Sequence, residues 1–361
     1  MNGERGPSVL FDARQSGPLT GVGRYRHELL RQLAQIEDLQ LRPLCWRSQR
    51  REMRSLGLRP CLDVRGRAER SWTLPRVDVT HGPDFKPLRR AGASEVITAH
   101  DVAWHHLPDA YPEGARLELD SAVRRAAQSG TFAICDSEST LRDLVELYDY
   151  PVERTRRVYL GVDERYGSAQ ATDAAVTARF GLRAPFLLHV GAWVPRKNLL
   201  ATLAAWRLLA LEDDTVELVL VGGHADTWLS DRPRIEAWIG AHPELEPRVR
   251  ILGHVPEADL PSLTRGAAAL VSSSLWEGFG LTILQAMLAG VPVAAVANSS
   301  LPEIAGGFAY FSPSDEPDVF ADAIRTALAM PAAARRMSVD HARRFTWERC
   351  ARETLACYAA A

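Results

Sequence analysis

Short apolar runs alternate with segments of helical periodicity along most of the chain. The first run, Ser8–Asp12, has the length of a strand, and the segment Gly23–Ile36 after it carries Leu29 and Leu33 on one helical face. Repeated alternation of strands and helices is typical of proteins with mainly parallel sheets. We therefore predict an α/β fold.

The same alternation predicts two halves of comparable size. The first half adds the strands Val96–Ala99 and Phe132–Cys135 and the helix Ser137–Tyr148, which starts with a serine cap. The polar stretch Asp163–Leu182 has no steady periodicity and is predicted to be an interdomain linker. In the second half the predicted strands and helices are Phe186–Val190, Asn198–Leu211, Glu217–Val221, Val249–Leu252, Ala267–Ser272, Gly280–Leu288 and Val291–Val296.

These halves favour two α/β domains. We predict an N-terminal domain over residues 1–165 and a C-terminal domain over residues 166–340. The remaining residues, 341–361, contain a helix predicted over Trp347–Tyr358 that packs back toward the first domain. Two α/β halves around one linker imply a cleft between them, which is a usual place for ligands.

Composition and charge narrow the function classes. The chain has 361 residues, of which 46% are hydrophobic and 24% charged, and its formal net charge is −2. This balance gives no support for nucleic-acid binding. No apolar run reaches the ~20 residues needed to span a bilayer, and the N-terminal stretch lacks the apolar core of a signal peptide. The five cysteines form no CxxC pair, so we expect a reduced, cytoplasmic protein.

One stretch departs from the near-neutral balance. Between Arg42 and Arg76 arginines recur with few acidic residues among them, which predicts a localised basic surface. Such a surface suits anionic lipid headgroups or a phosphate-bearing acceptor, and a merely solvated face is an equally good explanation. The arginines are Arg42, Arg47, Arg50, Arg51, Arg54, Arg59, Arg65, Arg67, Arg70 and Arg76.

The segment Trp276–Val293 carries the most informative chemistry. Glu277 stands before a glycine turn, Gly278–Gly280, that opens an apolar helical segment. Glycines let the backbone approach a ligand, and the free amides at a helix start attract phosphate. A carboxylate there is better suited to accept hydrogen bonds from hydroxyls. The segment therefore predicts one pocket for a phosphate and a polyol, with a plain strand–turn–helix unit as the alternative.

A second candidate follows the predicted strand Phe186–Val190. Gly191 comes directly after this strand, and Arg196 and Lys197 stand at the entrance of the next helix. Arginine offers a bidentate fork and lysine a compact charge, so the pair suits an anionic leaving group such as a diphosphate. Adjacent Arg–Lys pairs are also common on solvated surfaces.

Several segments together resemble the retaining glycosyltransferases of family 4, which have the GT-B fold of two Rossmann-like domains facing each other across a cleft. Their order and spacing carry the resemblance more than any single motif does. The PRKN and SSLPE variants are similar to bacterial mannosyltransferases of polysaccharide or O-antigen assembly. The segments are TGVGRY (Thr20–Tyr25), AHD (Ala99–Asp101), CDSEST (Cys135–Thr140), YLGVD (Tyr159–Asp163), VGAWVPRKN (Val190–Asn198), ILGHV (Ile251–Val255), WEGFG (Trp276–Gly280) and SSLPE (Ser299–Glu303).

The resemblance implies roles for the residues that match. Glu277 accepts hydrogen bonds from hydroxyls of the transferred sugar, and His100 lies near that sugar. Arg196 and Lys197 neutralise the diphosphate as the glycosidic bond breaks. The nucleotide-sugar is further expected to be bound by Gly21, Gly23, Gly191, Val255, Phe279, Gly280, Leu281 and Gln285. Contact with the acceptor, in the N-terminal domain, is expected of Tyr25, His105 and His106.

Two positions call for a comparison of alternatives. Gln285 stands where the family usually has a second glutamate that grips the ribose hydroxyls, and an amide lacks that charge-assisted acceptor. Weaker nucleotide binding, a 2′-deoxy nucleotide donor and simple tolerance all stay open. His81 is explained as well by a structural role as by a place in the cleft. No set of His, Cys, Asp and Glu has metal-ligand spacing, so we expect no metal and no cofactor.

The reaction implied by the resemblance is transfer of a sugar, with retention, from a nucleoside diphosphate to a glycan or lipid-linked glycan. GDP-mannose is the first expectation for the sugar donor, and UDP- or dTDP-linked sugars are the alternatives. An NAD-dependent dehydrogenase is a rival, although TGVGRY lacks the full GxGxxG spacing, and a non-catalytic nucleotide-sugar-binding protein is another. Peripheral attachment to the inner face of the cytoplasmic membrane rests on the basic stretch alone.

Overall fold

The computed structural model describes residues 6–14, 21–63, 74–182, 185–223 and 230–361. Within them the chain forms two compact units. The first unit is built from residues 1–102, 114–161 and 345–361, and the second from residues 103–113 and 162–344. The last helix thus belongs to the first unit. Residues 103–113 belong to the second unit, although the sequence-based boundaries put them in the N-terminal domain.

Each unit contains one parallel sheet with helices between its strands. The strands are β1 (Ser8–Asp12), β2 (Gln40–Trp46), β3 (Cys61–Asp63), β4 (Val79–Gly82), β5 (Ser94–Ala99), β6 (Phe132–Cys135), β7 (Thr155–Arg157), β8 (Phe186–Gly191), β9 (Glu217–Gly222), β10 (Val249–Gly253), β11 (Ala269–Ser272), β12 (Val293–Val296) and β13 (Tyr310–Ser312). The helices are α1 (Gly21–Leu33), α2 (Arg50–Ser55), α3 (Ala103–His106), α4 (Glu113–Gln128), α5 (Glu138–Tyr148), α6 (Asp173–Arg179), α7 (Leu199–Glu212), α8 (Arg232–Gly240), α9 (Leu260–Arg265), α10 (Leu281–Leu288), α11 (Leu301–Ala305), α12 (Pro317–Leu328), α13 (Ala332–Ala342) and α14 (Trp347–Ala360).

The order of strands locates a switch point in each sheet. Among the described residues the first sheet runs β3-β2-β1-β4-β5-β6-β7 and the second β10-β9-β8-β11-β12-β13. In the second sheet β9 and β10 are added in turn on one side of β8. The chain then crosses over, and β11 pairs with the opposite side of β8. Ligands of open parallel sheets bind beyond the carboxyl ends of the strands where the winding direction reverses. The loops after β8 and β11 are therefore the expected ligand site of the second unit.

The core of the second unit explains why its central strands read as continuous apolar runs. Leu187 of β8 and Leu218 of β9 are fully buried in one cluster with Trp206 of α7 and Phe320 of α12. Parallel strands covered by helices on both faces have no solvated side to mark with polar residues. The burial of these large side chains is the main stabilising term for the sheet that carries the switch point.

In the first unit a chain of buried hydrogen bonds ties the last helix to the sheet. His81 of β4 is fully buried; its Nδ1 is 2.7 Å from the hydroxyl of Tyr358 on α14, and its Nε2 is 2.8 Å from Oγ1 of Thr98. Burial lowers the pKa of His81 to about 3, so the ring is neutral. Of the two interpretations of His81, the structure supports the structural one.

Tyr25 belongs to the same network, which corrects its predicted role. Its side chain is 1% exposed and its hydroxyl lies 2.8 Å from Oγ1 of Thr98. Tyr25 faces inward because α1 packs against α14, where the Trp347 ring lies 6.3 Å from the tyrosine ring. A residue so placed is part of the core and has no surface with which to contact an acceptor.

The predicted linker Asp163–Leu182 is folded onto the second unit. It forms a short 3₁₀ turn, Glu164–Gly167, and the helix α6, which packs against α9. Arg265 of α9 explains this order, because its guanidinium binds both carboxylate oxygens of Asp173 at 2.6 Å. The same arginine donates to the carbonyl of Arg165 at 2.7 Å. The polar composition of the segment therefore reflects ion pairing rather than a flexible connection.

Candidate functional site

The candidate site lies at the switch point of the second sheet. Gly191 ends β8, and a 3₁₀ turn over Pro195–Lys197 follows it. Asn198 then adopts a left-handed conformation (φ 48°) that starts α7. On the neighbouring strand, β11 ends at Ser272, and the chain continues to Glu277. Two loops that are far apart in sequence thus meet beyond the carboxyl ends of adjacent strands.

The structure brings Glu277, Arg196 and Lys197 into one cluster. Lys197 Nζ donates to Oε1 of Glu277, and Arg196 Nη1 lies 3.3 Å from the other carboxylate oxygen. Arg196 also donates to the carbonyl of Trp276, while its own carbonyl accepts from the amide of Leu275 at 2.8 Å. The two loops are therefore held together by hydrogen bonds to backbone carbonyls and by ion pairs.

Burial strengthens the electrostatic interactions among these three side chains. The Glu277 side chain is 12% exposed, and those of Arg196 and Lys197 are 22% and 16% exposed. Burial alone would raise the pKa of Glu277, but Lys197 and Arg196 outweigh it and lower that pKa to about 2. The carboxylate is therefore charged at any physiological pH. The cations expected to bind a diphosphate are engaged by the carboxylate expected to bind the sugar.

His189 of β8 lies beneath this cluster. A Cβ added at Gly191 would lie 3.6 Å from His189 Nε2 and 3.7 Å from Lys197 Cε, so the ring and the lysine stem flank the same glycine. Burial, and then the charge of Lys197, lower the pKa of His189 to about 4. The ring is neutral at physiological pH and adds no positive charge to the site.

The glycine turn leads into α10 as predicted. Gly280 has φ 96°, a conformation that glycine adopts without strain. Leu281 is the first residue of α10, so its amide is among those that no intrahelical acceptor satisfies. Phe279, within the turn, is 4% exposed. The helix start therefore offers backbone amides next to Glu277.

Two further predicted contacts of the nucleotide-sugar lie in the second unit. Gln285 is on α10, one turn after Leu281, and is 6% exposed. Val255, two residues after β10, is 5% exposed. Both residues stay predictions as parts of the binding site.

The histidines expected to contact the acceptor lie on α3, in the segment that belongs to the second unit. His106 stacks on the indole of Trp276, with ring centroids 3.6 Å apart and planes 15° apart. His105 is exposed and faces His106 at 5.7 Å. The stack places His106 against Trp276, which directly precedes Glu277 in the chain. Trp276 is a residue of this region for which the sequence predicted no role.

His100 follows β5 in the first unit and is bonded at both ring nitrogens. Nδ1 is 2.7 Å from a carboxylate oxygen of Asp136, and Nε2 is 3.1 Å from the carbonyl of Pro83. Burial disfavours the charged ring, but Asp136 and the Pro83 carbonyl outweigh it and raise the pKa of His100. Two acceptors around one imidazole favour the doubly protonated form. His100 is thus held in place by these two acceptors, which favour its charged form.

The glycines of the TGVGRY segment open α1. Gly21 is exposed at the first position of the helix, and Gly23 is buried in its first turn. Thr20 lies outside the described residues. The predicted contact of Gly21 with the phosphates stays a prediction, and Gly23 is the less accessible of the two.

The described arginines of the stretch Arg42–Arg76 are exposed, and the basic surface that they would form stays a prediction. Exposed arginines there are Arg42, Arg47, Arg50, Arg51, Arg54, Arg59 and Arg76, whereas Arg65, Arg67 and Arg70 lie outside the described residues. In the described ranges no three or more His, Cys, Asp or Glu side chains are grouped to hold a metal ion. None of the helices described is both long and apolar enough to cross a membrane.

Comparison with known proteins identifies a domain family within the second unit. Residues 184–330 match the family of glycosyl transferases group 1. The chain is 27% identical over 377 residues to the O-antigen chain mannosyltransferase B of Escherichia coli, covering 94% of this chain and 96% of that protein. It is also 27% identical over 259 residues to the serotype-specific mannosyltransferase WbdA of Escherichia coli, which is 67% of this chain but 31% of that protein.

Solved structures show the same fold. The crystal structure of Anabaena HepE in complex with UDP and glucose superposes with a TM-score of 0.75 at 17% sequence identity, covering 98% of this chain and all of that one. The matched domain contains the whole Arg196–Lys197–Glu277 cluster. The dehydrogenase alternative finds no support in these comparisons. Residues 184–330 form a glycosyl transferases group 1 domain, and the chain has the fold of GT-B glycosyltransferase structures.

Proposed function

We propose that the chain is a retaining mannosyltransferase that moves mannose from GDP-mannose to a glycan or lipid-linked glycan, as in bacterial polysaccharide or O-antigen assembly. The observation that carries the proposal is the cluster of Glu277, Arg196 and Lys197 at the switch point of the second sheet. The similarity to an O-antigen mannosyltransferase along nearly the full length of both chains supports the choice of sugar.

Charge at this cluster fits the chemistry of the proposed step. As the glycosidic bond breaks, negative charge grows on the diphosphate oxygens and the sugar becomes an oxocarbenium ion. Arg196 and Lys197, with the amides at the start of α10, stabilise the leaving diphosphate more than the bound ground state. Glu277 then accepts hydrogen bonds from sugar hydroxyls and orients the anomeric carbon.

Retention follows in this proposal from attack on the face that the diphosphate leaves. The acceptor hydroxyl forms the new bond to the anomeric carbon, and a diphosphate oxygen takes the hydroxyl proton. No covalent nucleophile is required, and the two cations supply the charge that a metal would otherwise bring. The proposed reaction therefore needs neither a metal nor a cofactor.

For the acceptor we propose delivery at the inner face of the cytoplasmic membrane. The basis is the three exposed arginines of α2, Arg50, Arg51 and Arg54, with further exposed arginines on either side of the helix in the sequence. Each basic residue near an anionic leaflet contributes about 1 kcal/mol of attraction. Sedimentation with anionic and zwitterionic vesicles tests this part. Binding to anionic vesicles that is lost in an Arg50→Glu, Arg51→Glu, Arg54→Glu variant supports it, and equal behaviour of the two proteins refutes it.

Ligand selection is the experiment that tests the function. Thermal shifts and calorimetry compare GDP, UDP, dTDP, ADP, their sugar conjugates and NAD. A ligand present at 100 times its Kd stabilises the native state by about 2.7 kcal/mol, so the preferred nucleotide is easily identified. Preference for GDP and GDP-mannose supports the proposal. Preference for UDP or dTDP keeps the transferase and changes the sugar donor, and binding without any transfer favours a non-catalytic binding protein.

Two further measurements test the finer points. The anomeric configuration of the first product, read by proton NMR, distinguishes retention from inversion. Turnover after dialysis against EDTA tests whether a metal takes part: unchanged turnover agrees with the proposal, and activity restored only by a divalent cation contradicts it.

A further inference from the structure

The SSLPE segment has no role in the proposed chemistry, yet it contacts Glu277 from both sides. The amide of Glu277 donates to Ser299 Oγ at 2.9 Å. Ser300 Oγ donates to the carbonyl of Glu277, also at 2.9 Å. Two consecutive hydroxyls thus hold both backbone polar groups of a single residue. We refer to Asn298, Ser299 and Ser300 as the serine clamp.

The serine clamp is itself fixed. Ser299 Oγ donates to Oδ1 of Asn298 at 2.8 Å. The side-chain Nδ2 of Asn298 donates to the carbonyl of Ser274 and, at 3.2 Å, to that of Val296. Val296 ends β12 and Ser274 lies two residues after the end of β11, so the clamp ties the Glu277 backbone to the ends of two adjacent strands of the second sheet.

Two local features of this arrangement are energetically unfavourable. Ser299 adopts φ 41°, a conformation that side-chain-bearing residues rarely take. Ser300 is the N-cap of α11, where a serine ordinarily accepts a hydrogen bond from the helix, yet its side chain makes no cap bond. Ser300 is fully buried, and its hydroxyl donates to the backbone carbonyl of Glu277 instead. Backbone strain and a lost cap persist where surrounding contacts over-determine them.

We propose that Ser299 and Ser300 are positioning residues that keep the Glu277 backbone fixed while its carboxylate exchanges partners. In the structure that carboxylate binds Lys197 and Arg196, and it has to release them to bind a sugar. A side chain that changes partners from a fixed backbone keeps its geometry, and a misplacement of about 1 Å can cost about 100-fold in rate. The inference rests on the proposed function of Glu277.

The test uses the full chain with Ser299→Ala, Ser300→Ala and a matched control, Ser312→Ala. Ser312 is 1% exposed and donates to the carbonyl of Ser314, so the control removes a comparable buried hydrogen bond elsewhere in the unit. We expect both clamp variants to lower kcat by up to about 100-fold while the Kd for GDP stays unchanged. Wild-type kcat in both clamp variants, or an equal loss in Ser312→Ala, overturns the proposal.

A ligand-free measurement separates this inference from the function on which it rests. Amide hydrogen exchange of residues 275–281 should speed up in both clamp variants and stay unchanged in Ser312→Ala, because the clamp bonds the Glu277 backbone directly. Ser299→Gly removes the hydroxyl but relieves the positive φ. If Ser299→Gly behaves like Ser299→Ala, the hydroxyl is responsible; if it behaves like the wild type, backbone strain is responsible and the clamp is refuted.

Discussion

Replacing Glu277 by glutamine should separate nucleotide binding from sugar transfer. The substitution keeps the size of the side chain and removes its charge, which in the structure engages Lys197 and Arg196. A diphosphate that binds these cations has to displace the carboxylate first. Glu277→Gln therefore removes an internal competitor of the diphosphate and, at the same time, the carboxylate that binds sugar hydroxyls.

The size of the effect follows from the coupling in the cluster. The fall of the Glu277 pKa from 4.5 to about 2 corresponds to about 3 kcal/mol of net stabilisation of the carboxylate. Because the three side chains are mostly buried, little of this is lost to screening. We expect the unliganded variant to lose up to about 3 kcal/mol of stability and a bound diphosphate to gain up to about 100-fold in affinity.

Calorimetry and kinetics together test this prediction. The nucleoside diphosphate that the wild type binds best is titrated into the wild type, Glu277→Gln and Glu236→Gln, a control that removes an exposed carboxylate paired with Arg232. Tighter diphosphate binding with transfer lowered by orders of magnitude is the expected pair of results for Glu277→Gln alone. Weaker or unchanged binding of the diphosphate in Glu277→Gln would show that the carboxylate does not compete for the cations.

Three further predictions concern the glycine turn, the stability of the protein at acid pH, and the glutamine at position 285. Gly280→Ala should destabilise the fold by about 1–3 kcal/mol in urea unfolding, because φ is 96° and the new Cβ would lie 2.6 Å from Leu301 Cδ2; wild-type stability would contradict the strain. As pH falls from 6.5, the unfolded chain protonates His81 and His189, whose native pKa values are about 3 and about 4. Stability should therefore drop by about 1.4 kcal/mol per pH unit for each histidine, and equal stability at pH 6.5 and 5 would refute this. Gln285→Glu should tighten binding of a ribonucleotide in calorimetry if the glutamine costs affinity; weaker binding would mean that the pocket has adapted to the amide.

Those parts of the fold whose signals lie within one element can be predicted from the sequence. Ser137 caps α5, its hydroxyl accepting from the Thr140 amide at 3.1 Å, and the strand Phe132–Cys135 is four buried residues with the predicted bounds. Local pattern fails at β2, where exposed Arg42 and the following Pro43 interrupt the apolar run. Pairing with β1 compensates for these residues, and pairing is a property of two segments.

The candidate site likewise contains residues that local sequence predicts and contacts that it does not. Glu277, Arg196 and Lys197 were predictable because each follows a strand, and strand ends of a parallel sheet converge on one edge. The ion pair between them and the hydroxyls of Ser299 and Ser300 depend on tertiary contacts that no local pattern encodes. The SSLPE motif was the available signal for the two serines, but it indicated a family and not a contact.

The hydrogen bond between His81 and Tyr358 spans 277 positions of the chain, and this has a consequence for biosynthesis. The ribosome delivers the whole of residues 162–344, a unit with its own sheet and core, before α14 emerges. Until then α1 lacks the helix that packs against it, and His81 of β4 lacks its hydroxyl partner. The half of the enzyme that is synthesised first is therefore the half that finishes folding last, and during that interval its apolar surface is exposed to chaperones and proteases.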